Sequence, residues 1–156
     1  MHELDFISPL NGEIIPLEEV KDPVFSQKML GEGFAVIPQD GNVVSPVDGK
    51  ITALYPTGHA IGILSSDGYE FLIHIGINTF KLSGQGFKIH ISNGQQVKQH
   101  DLLIQFNKNE LESQGIDLTT SVLFTNKEDF KLLRQHEYVT TEDKHLFQIG
   151  DSNVLL

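Results

Sequence analysis

Two histidines stand where imidazole chemistry could be done. His74 ends the apolar run Phe71-Leu72-Ile73 and precedes Ile75-Gly76, and His59 lies in Thr57-Gly58-His59-Ala60. Neutral imidazole is a nucleophile near pH 7. A second imidazole can donate a hydrogen bond to a phosphoryl oxygen and offset its charge during transfer. Thr57 adds a hydroxyl, and Gly76, with no side chain, leaves room for a bulky tetrahedral group. Two imidazoles are too few for a stable zinc centre, which takes three or four ligands, so neither a metal nor a cofactor is expected. His2, His90, His100, His136 and His145 show no such convergence and read as surface residues.

The elements that must position the pair read as a hairpin. Residues 53–64 and 69–82 have the composition of two strands, with Ser65-Ser66-Asp67-Gly68 as the turn between them. A four-residue loop pairs Leu64 with Tyr69 and sets His59 directly opposite His74, with Cβ atoms about 4.5–5.5 Å apart. A two-residue Asp67-Gly68 loop makes them diagonal neighbours on one face, and a three-residue loop puts them on opposite faces. In the first two registers Phe71, Ile73, Ile75 and Ile77 share a face with Ala60, Gly62 and Leu64, and that face must be core. The histidine face carries Tyr55, Thr57 and Ile61 against Leu72, Gly76 and Asn78. There Ile61 and Leu72 form an apolar patch of the kind that receives partners.

The rest of the chain is strand-rich. Apolar stretches alternate with Asn11-Gly12, Asp40-Gly41, Asp48-Gly49, Asp67-Gly68 and Asn93-Gly94 turns. Ser8-Pro9-Leu10-Asn11-Gly12-Glu13-Ile14 returns as Ser45-Pro46-Val47-Asp48-Gly49-Lys50-Ile51, which suggests two similar strand-turn-strand units. Helices are expected over 23–29, behind an Asp22 cap with proline at the first position, and over 126–135. Residues 108–118 are ambiguous, because Gly115 interrupts them. No linker or low-complexity segment divides the 156 residues, so a single domain over 1–156 is expected.

Charge narrows the classes of function. With 11 basic and 21 acidic residues the net charge is −10, which disfavours nucleic acid and anionic lipid and would steer a basic protein partner. No apolar run spans a bilayer, so direct membrane insertion is not expected. The first residues lack a basic signal-peptide region. The absence of cysteine fits a reducing, cytoplasmic setting.

Gly68-Tyr69-Glu70-Phe71-Leu72-Ile73-His74-Ile75-Gly76-Ile77-Asn78-Thr79 closely resembles the active-site signature of the glucose-type IIA component of the bacterial phosphoenolpyruvate-dependent sugar phosphotransferase system. Thr57-Gly58-His59-Ala60 resembles the segment bearing that family's second histidine. Ser8-Pro9-Leu10-Asn11-Gly12, Gly31-Glu32-Gly33-Phe34-Ala35, Ser45-Pro46-Val47-Asp48-Gly49 and Gly84-Gln85-Gly86-Phe87 extend the likeness over roughly residues 6–106. The resemblance implies an all-β, antiparallel sandwich or barrel of the duplicated hybrid type, with a few short helices. It implies that HPr phosphorylates His74, at the nitrogen expected to be Nε2, and that the group passes to the cysteine of a IIB domain during sugar uptake. It further implies that His59 stabilises the phosphoryl group, that Thr57 orients His59, and that Glu32, Phe34, Tyr55, Ile61, Leu72, Gly76 and Asn78 serve the partner surface. Gly58, Glu32 and Asn78 depart from the residues usual in that family, and loss of a carboxylate at Asn78 is expected to alter partner affinity before activity. The chain reads as a standalone component or as part of a larger permease.

Three alternatives compete with this reading. A biotinyl or lipoyl carrier needs a lysine at a hairpin tip, whereas Lys50 enters a strand. A zinc peptidase of related architecture needs a His-x-His pair, and Ile75-Gly76 follow His74. A non-catalytic regulatory domain would keep the fold, but retention of both histidines argues for transfer.

Overall fold

The computed structural model describes residues 1–125 and 129–150. Its strands are β1 (Gly12–Pro16), β2 (Glu32–Pro38), β3 (Asn42–Val44), β4 (Gly49–Leu54), β5 (Ala60–Ser65), β6 (Glu70–His74) and β7 (Phe87–Ile89). They continue as β8 (Gln96–Val97), β9 (Leu102–Phe106), β10 (Thr120–Phe124), β11 (Asp129–Leu132), β12 (Glu137–Val139) and β13 (Phe147–Gly150). Two short helices, α1 (Pro23–Ser26) and α2 (Lys108–Ser113), interrupt them.

An eight-stranded sheet runs β12-β1-β2-β10-β6-β5-β4-β8, beside a β3-β9-β7 sheet and a β11-β13 pair. The pairings are antiparallel, and among the described residues β12 and β8 form open edges. The expected all-β antiparallel sandwich is therefore what forms, and it is not a closed barrel.

The repeated Ser-Pro motif builds two equivalent turns. Ser8 Oγ donates to the Leu10 carbonyl at 2.6 Å and Ser45 Oγ to the Val47 carbonyl at 2.7 Å, both in buried positions. The copies also bind each other, through Val44 N–H to Pro9 O at 2.9 Å and Ile7 N–H to Pro46 O at 3.1 Å. Around them the core packs Phe6, Phe34, Phe71, Phe124 and Phe147. The Phe6 ring lies 5.4 Å from Phe71 and 5.0 Å from Phe147, edge to face.

A smaller apolar layer covers the other face of the large sheet. Ile15, Leu17, Val20, Phe25, Ala35 and Leu123 form it, with Leu72 and Ile77 at its margin. Phe25 is brought there by α1, where Asp22 Oδ1 accepts from Val24 N–H at 3.0 Å and Pro23 occupies the first helical position. Burying a phenyl ring of this kind stabilises by about 1.5–3 kcal/mol. The helix stops at Ser26, short of the expected residue 29, and Lys28 takes a left-handed φ of +58°. The ambiguous 108–118 segment resolves into α2, capped by Asn107, with Gly115 beyond its end.

The helix expected over 126–135 is corrected: residues 129–132 form β11, while 126–128 lie outside the described residues. Phe130 and Leu132 alternate with exposed Asp129 and Lys131, and they pair with Ile149 and Phe147 of β13. A distant strand thus selects the twofold period from a sequence compatible with either.

Candidate functional site

His74 is the last residue of β6, held between β5 and β10 in register with Ala60 and Ser121. After it the chain bends sharply. Ile75 N–H donates to the His59 carbonyl at 2.7 Å, and Ile77 N–H to the Asp117 carbonyl at 2.9 Å. Gly76 makes the bend at φ +73°, where a Cβ would stand 2.6 Å from Thr79 Cγ2 and 2.9 Å from the Asp117 carbonyl oxygen. Only glycine fits. Its carbonyl lies 2.9 Å from His74 Nδ1. A carbonyl only accepts, so Nδ1 carries the proton and the Nε2 lone pair is left free.

His59 reaches His74 by a different route from the one expected. Residues 53–64 are not one strand: β4 and β5 form a hairpin of their own, pairing Leu54 with Ile61 around a Tyr55-to-His59 loop. Nor does β5–β6 follow either register that puts the histidines on one face. Leu64 pairs with Glu70 and Ala60 with His74, so His59 falls beside Ile75. This is the odd register that strand parity predicts would separate the rings. They nevertheless meet at 5.2 Å between centroids and 74° between planes, because His59 precedes β5 and is free of its alternation. The left-handed Gly58 (φ +78°) turns the chain there. Glycine adopts that conformation without strain, so the backbone accommodates it where the sequence departs from the family it resembles.

The register also reassigns the faces. Ile61 and Ile63 lie opposite Ile73 and Phe71 in the core, while Leu64 is on the outside. Ile61 is 0% exposed and cannot contribute to a surface patch. Phe34 is likewise 0% exposed, turned into the aromatic core of the sandwich. Leu72 is half-buried at the edge of the α1 layer, Gly76 is buried in its bend, and Tyr55 and Asn78 are exposed. Glu32, at the start of β2, pairs with Lys28 at 2.9 Å. It lies three residues before Ala35, the β2 residue in line with Ser121 and His74.

Thr57 Oγ1 is hydrogen-bonded to His59 Nδ1. With the hydroxyl donating, His59 Nε2 carries a proton. Three contacts were not legible in the sequence. Phe25 stands 4.8 Å from His74, exposed Phe80 lies 6.5 Å from His59, and Ser121 adjoins His74 across β10. The Asp22-Pro23 signal announces the helix that carries Phe25 but says nothing of where it docks. Tyr55, predicted near the pair, is 5.3 Å from His59.

Burial beneath these rings, followed by repulsion from His59, pushes the His74 imidazole down from 6.5 to about 4, against the Gly76 carbonyl and Asp22, which favour the cation. Burial lowers His59 as well. Two neutral imidazoles, one with a free Nε2, can accept an electrophile and hold its charge. Among the described residues no cluster of three or more His, Asp or Glu could hold a metal ion.

Fold and site together define a β-sandwich whose reactive groups sit at a strand end. Residues 4–130 match the model of the phosphoenolpyruvate-dependent sugar phosphotransferase system, EIIA 1, family, and the chain belongs to that family. It is 51% identical over 128 residues to the glucosamine-specific EIICBA component of Bacillus subtilis (strain 168), covering 81% of this chain and 20% of that protein. It is 44% identical over 144 residues to the beta-glucoside-specific EIIBCA component of Halalkalibacterium halodurans, covering 92% and 22%. The chain thus spans about a fifth of the length of the curated relatives it matches. The solved glucose permease IIA from Mycoplasma capricolum superposes with a TM-score of 0.83 at 32% identity, covering 96% of each chain.

Proposed function

We propose that this chain is a phosphoryl carrier of the sugar phosphotransferase system. His74 Nε2 attacks the phosphorus of phospho-HPr; the new N–P bond forms as the bond to the HPr histidine breaks. The thiolate of a IIB cysteine then attacks the same phosphorus; the N–P bond breaks with its electron pair returning to Nε2, and His74 leaves as neutral imidazole still protonated at Nδ1. His59 donates Nε2–H to a phosphoryl oxygen, with Thr57 holding the tautomer. The observation that carries this reading is the bond from His74 Nδ1–H to the Gly76 carbonyl at 2.9 Å, with His59 5.2 Å away, because it aims the free lone pair beside a donor.

Tyr55, Leu72 and Asn78 are the proposed docking residues that remain around the pair, with Gly76 shaping the surface. Glu32 is proposed for the rim. The cytoplasm is the proposed compartment, in keeping with a chain that has no cysteine. Residues 1–156 are read as one IIA domain, supported by the mutual backbone bonds of His2 and Ile149 that tie the start of the chain to β13. The sugar is left to the membrane component, since the relatives named for glucosamine and beta-glucoside carry their own IIB and IIC parts.

Incubation with phosphoenolpyruvate, enzyme I and HPr tests the proposal. A single acid-labile phosphate is expected on His74 and none in His74→Ala. Label elsewhere, or none with cognate partners, overturns it. In His59→Ala, transfer to the IIB cysteine should slow more than acceptance from HPr.

A further inference from the structure

The carrier reading needs His74 Nδ1 protonated, and the Gly76 carbonyl is what holds that proton. Something must hold the carbonyl in turn. Gly76 is the most pliable residue type and its φ of +73° is one of several it could adopt. Two peptide planes flank it. The plane that carries the Gly76 carbonyl also carries the Ile77 N–H, which donates to the Asp117 carbonyl at 2.9 Å. The preceding plane carries the Ile75 carbonyl, which accepts from the hydroxyl of Thr79.

Thr79 is 1% exposed, and its methyl closes over the Gly76 Cα, where a built Cβ would meet it at 2.6 Å. A buried hydroxyl in a short helical turn commonly bonds the carbonyl four residues back. Here that carbonyl belongs to the residue between the nucleophile and its glycine. We infer that Thr79 is a positioning residue for phosphoryl transfer, its hydroxyl locking the Ile75–Gly76 peptide so that the Gly76 carbonyl selects the Nδ1–H tautomer of His74. It acts through the backbone, by its bond to the Ile75 carbonyl.

The inference rests on the carrier reading for its consequence, while its measurement needs no partner. Long-range 15N NMR of the unphosphorylated full chain near neutral pH distinguishes Nδ1–H from Nε2–H on His74. Wild type and Thr79→Ser, which keeps the hydroxyl, should both show Nδ1–H. Thr79→Val keeps the methyl and replaces the hydroxyl by a second one, and its ratio of Nδ1–H to Nε2–H should fall on the order of tenfold. Acceptance from phospho-HPr should slow in proportion to the fraction of Nδ1–H that is lost.

An unchanged tautomer in Thr79→Val overturns the inference. So does an equal loss in Thr79→Ser and Thr79→Val, which would assign the effect to packing. If Thr79→Val does not fold, Thr79→Ala, which adds no bulk, is read in its place by the same criteria. A failure of HPr to phosphorylate any form would refute the carrier reading and leave the tautomer result standing.

Discussion

The depressed titration of His74 makes a quantitative prediction about stability. In the unfolded chain the ring titrates at its ordinary 6.5, and in the folded domain burial holds it to about 4. Above pH 6.5 the ring is neutral in both states and nothing is lost. Between 6.5 and about 4 the unfolded chain takes up a proton that the folded chain refuses, so folding weakens as pH falls. Below 4 both forms are protonated and the penalty is constant. At about 1.36 kcal/mol for each tenfold change in proton affinity, the full penalty is about 3 kcal/mol. His59, also lowered by burial, adds in the same direction, whereas His136, raised by its bond to Glu19, opposes it. A comparison with His74→Gln, which cannot titrate, isolates the one ring. Urea denaturation from about pH 7.5 to pH 4 should show wild type losing about 3 kcal/mol more than the variant. Alongside, an NMR titration should place the His74 midpoint well below that of a free imidazole. A difference under about 0.5 kcal/mol across the range, or a midpoint near the ordinary value, would refute the account of His74 as a desolvated nucleophile.

Two further substitutions probe the bend and the second imidazole. Gly76→Ala forces a Cβ against the Asp117 carbonyl in a left-handed conformation. Adding roughly 1–2 kcal/mol for the backbone to about 1–3 for overpacking, it should cost about 2–5 kcal/mol in chemical denaturation. A near-neutral result would mean the bend is looser than its contacts imply. Thr57→Val removes the partner of His59 Nδ1. It should cost about 1 kcal/mol of stability and let the His59 tautomers mix in 15N spectra, slowing donation to the IIB cysteine more than acceptance from HPr. Equal effects on the two transfers would remove the proposed role of Thr57.

Much of the architecture was legible because turn chemistry is local. The paired Ser-Pro-x-Asx-Gly motifs and the Asp22-Pro23 helix start each act within a few residues, and each appears in the fold. The strand at 129–132 was not legible. Phe130 and Leu132 suit either period until β13 supplies a partner.

The same division runs through the site. The residue types alone determined which groups could build a phosphoryl site: an imidazole at 74, a second at 59, a hydroxyl at 57 and a glycine at 76. Tertiary structure decided how they meet. A one-residue difference in hairpin register reverses every side chain on a strand. Here it sent Ile61 inward and would have parted the histidines, had His59 lain within β5. The pair survives because Gly58 and the β4–β5 loop release His59 from the alternation, and because α1 folds Phe25 over His74 from elsewhere in the chain. Identity is written residue by residue, but register and docking are set by contacts between residues far apart in sequence.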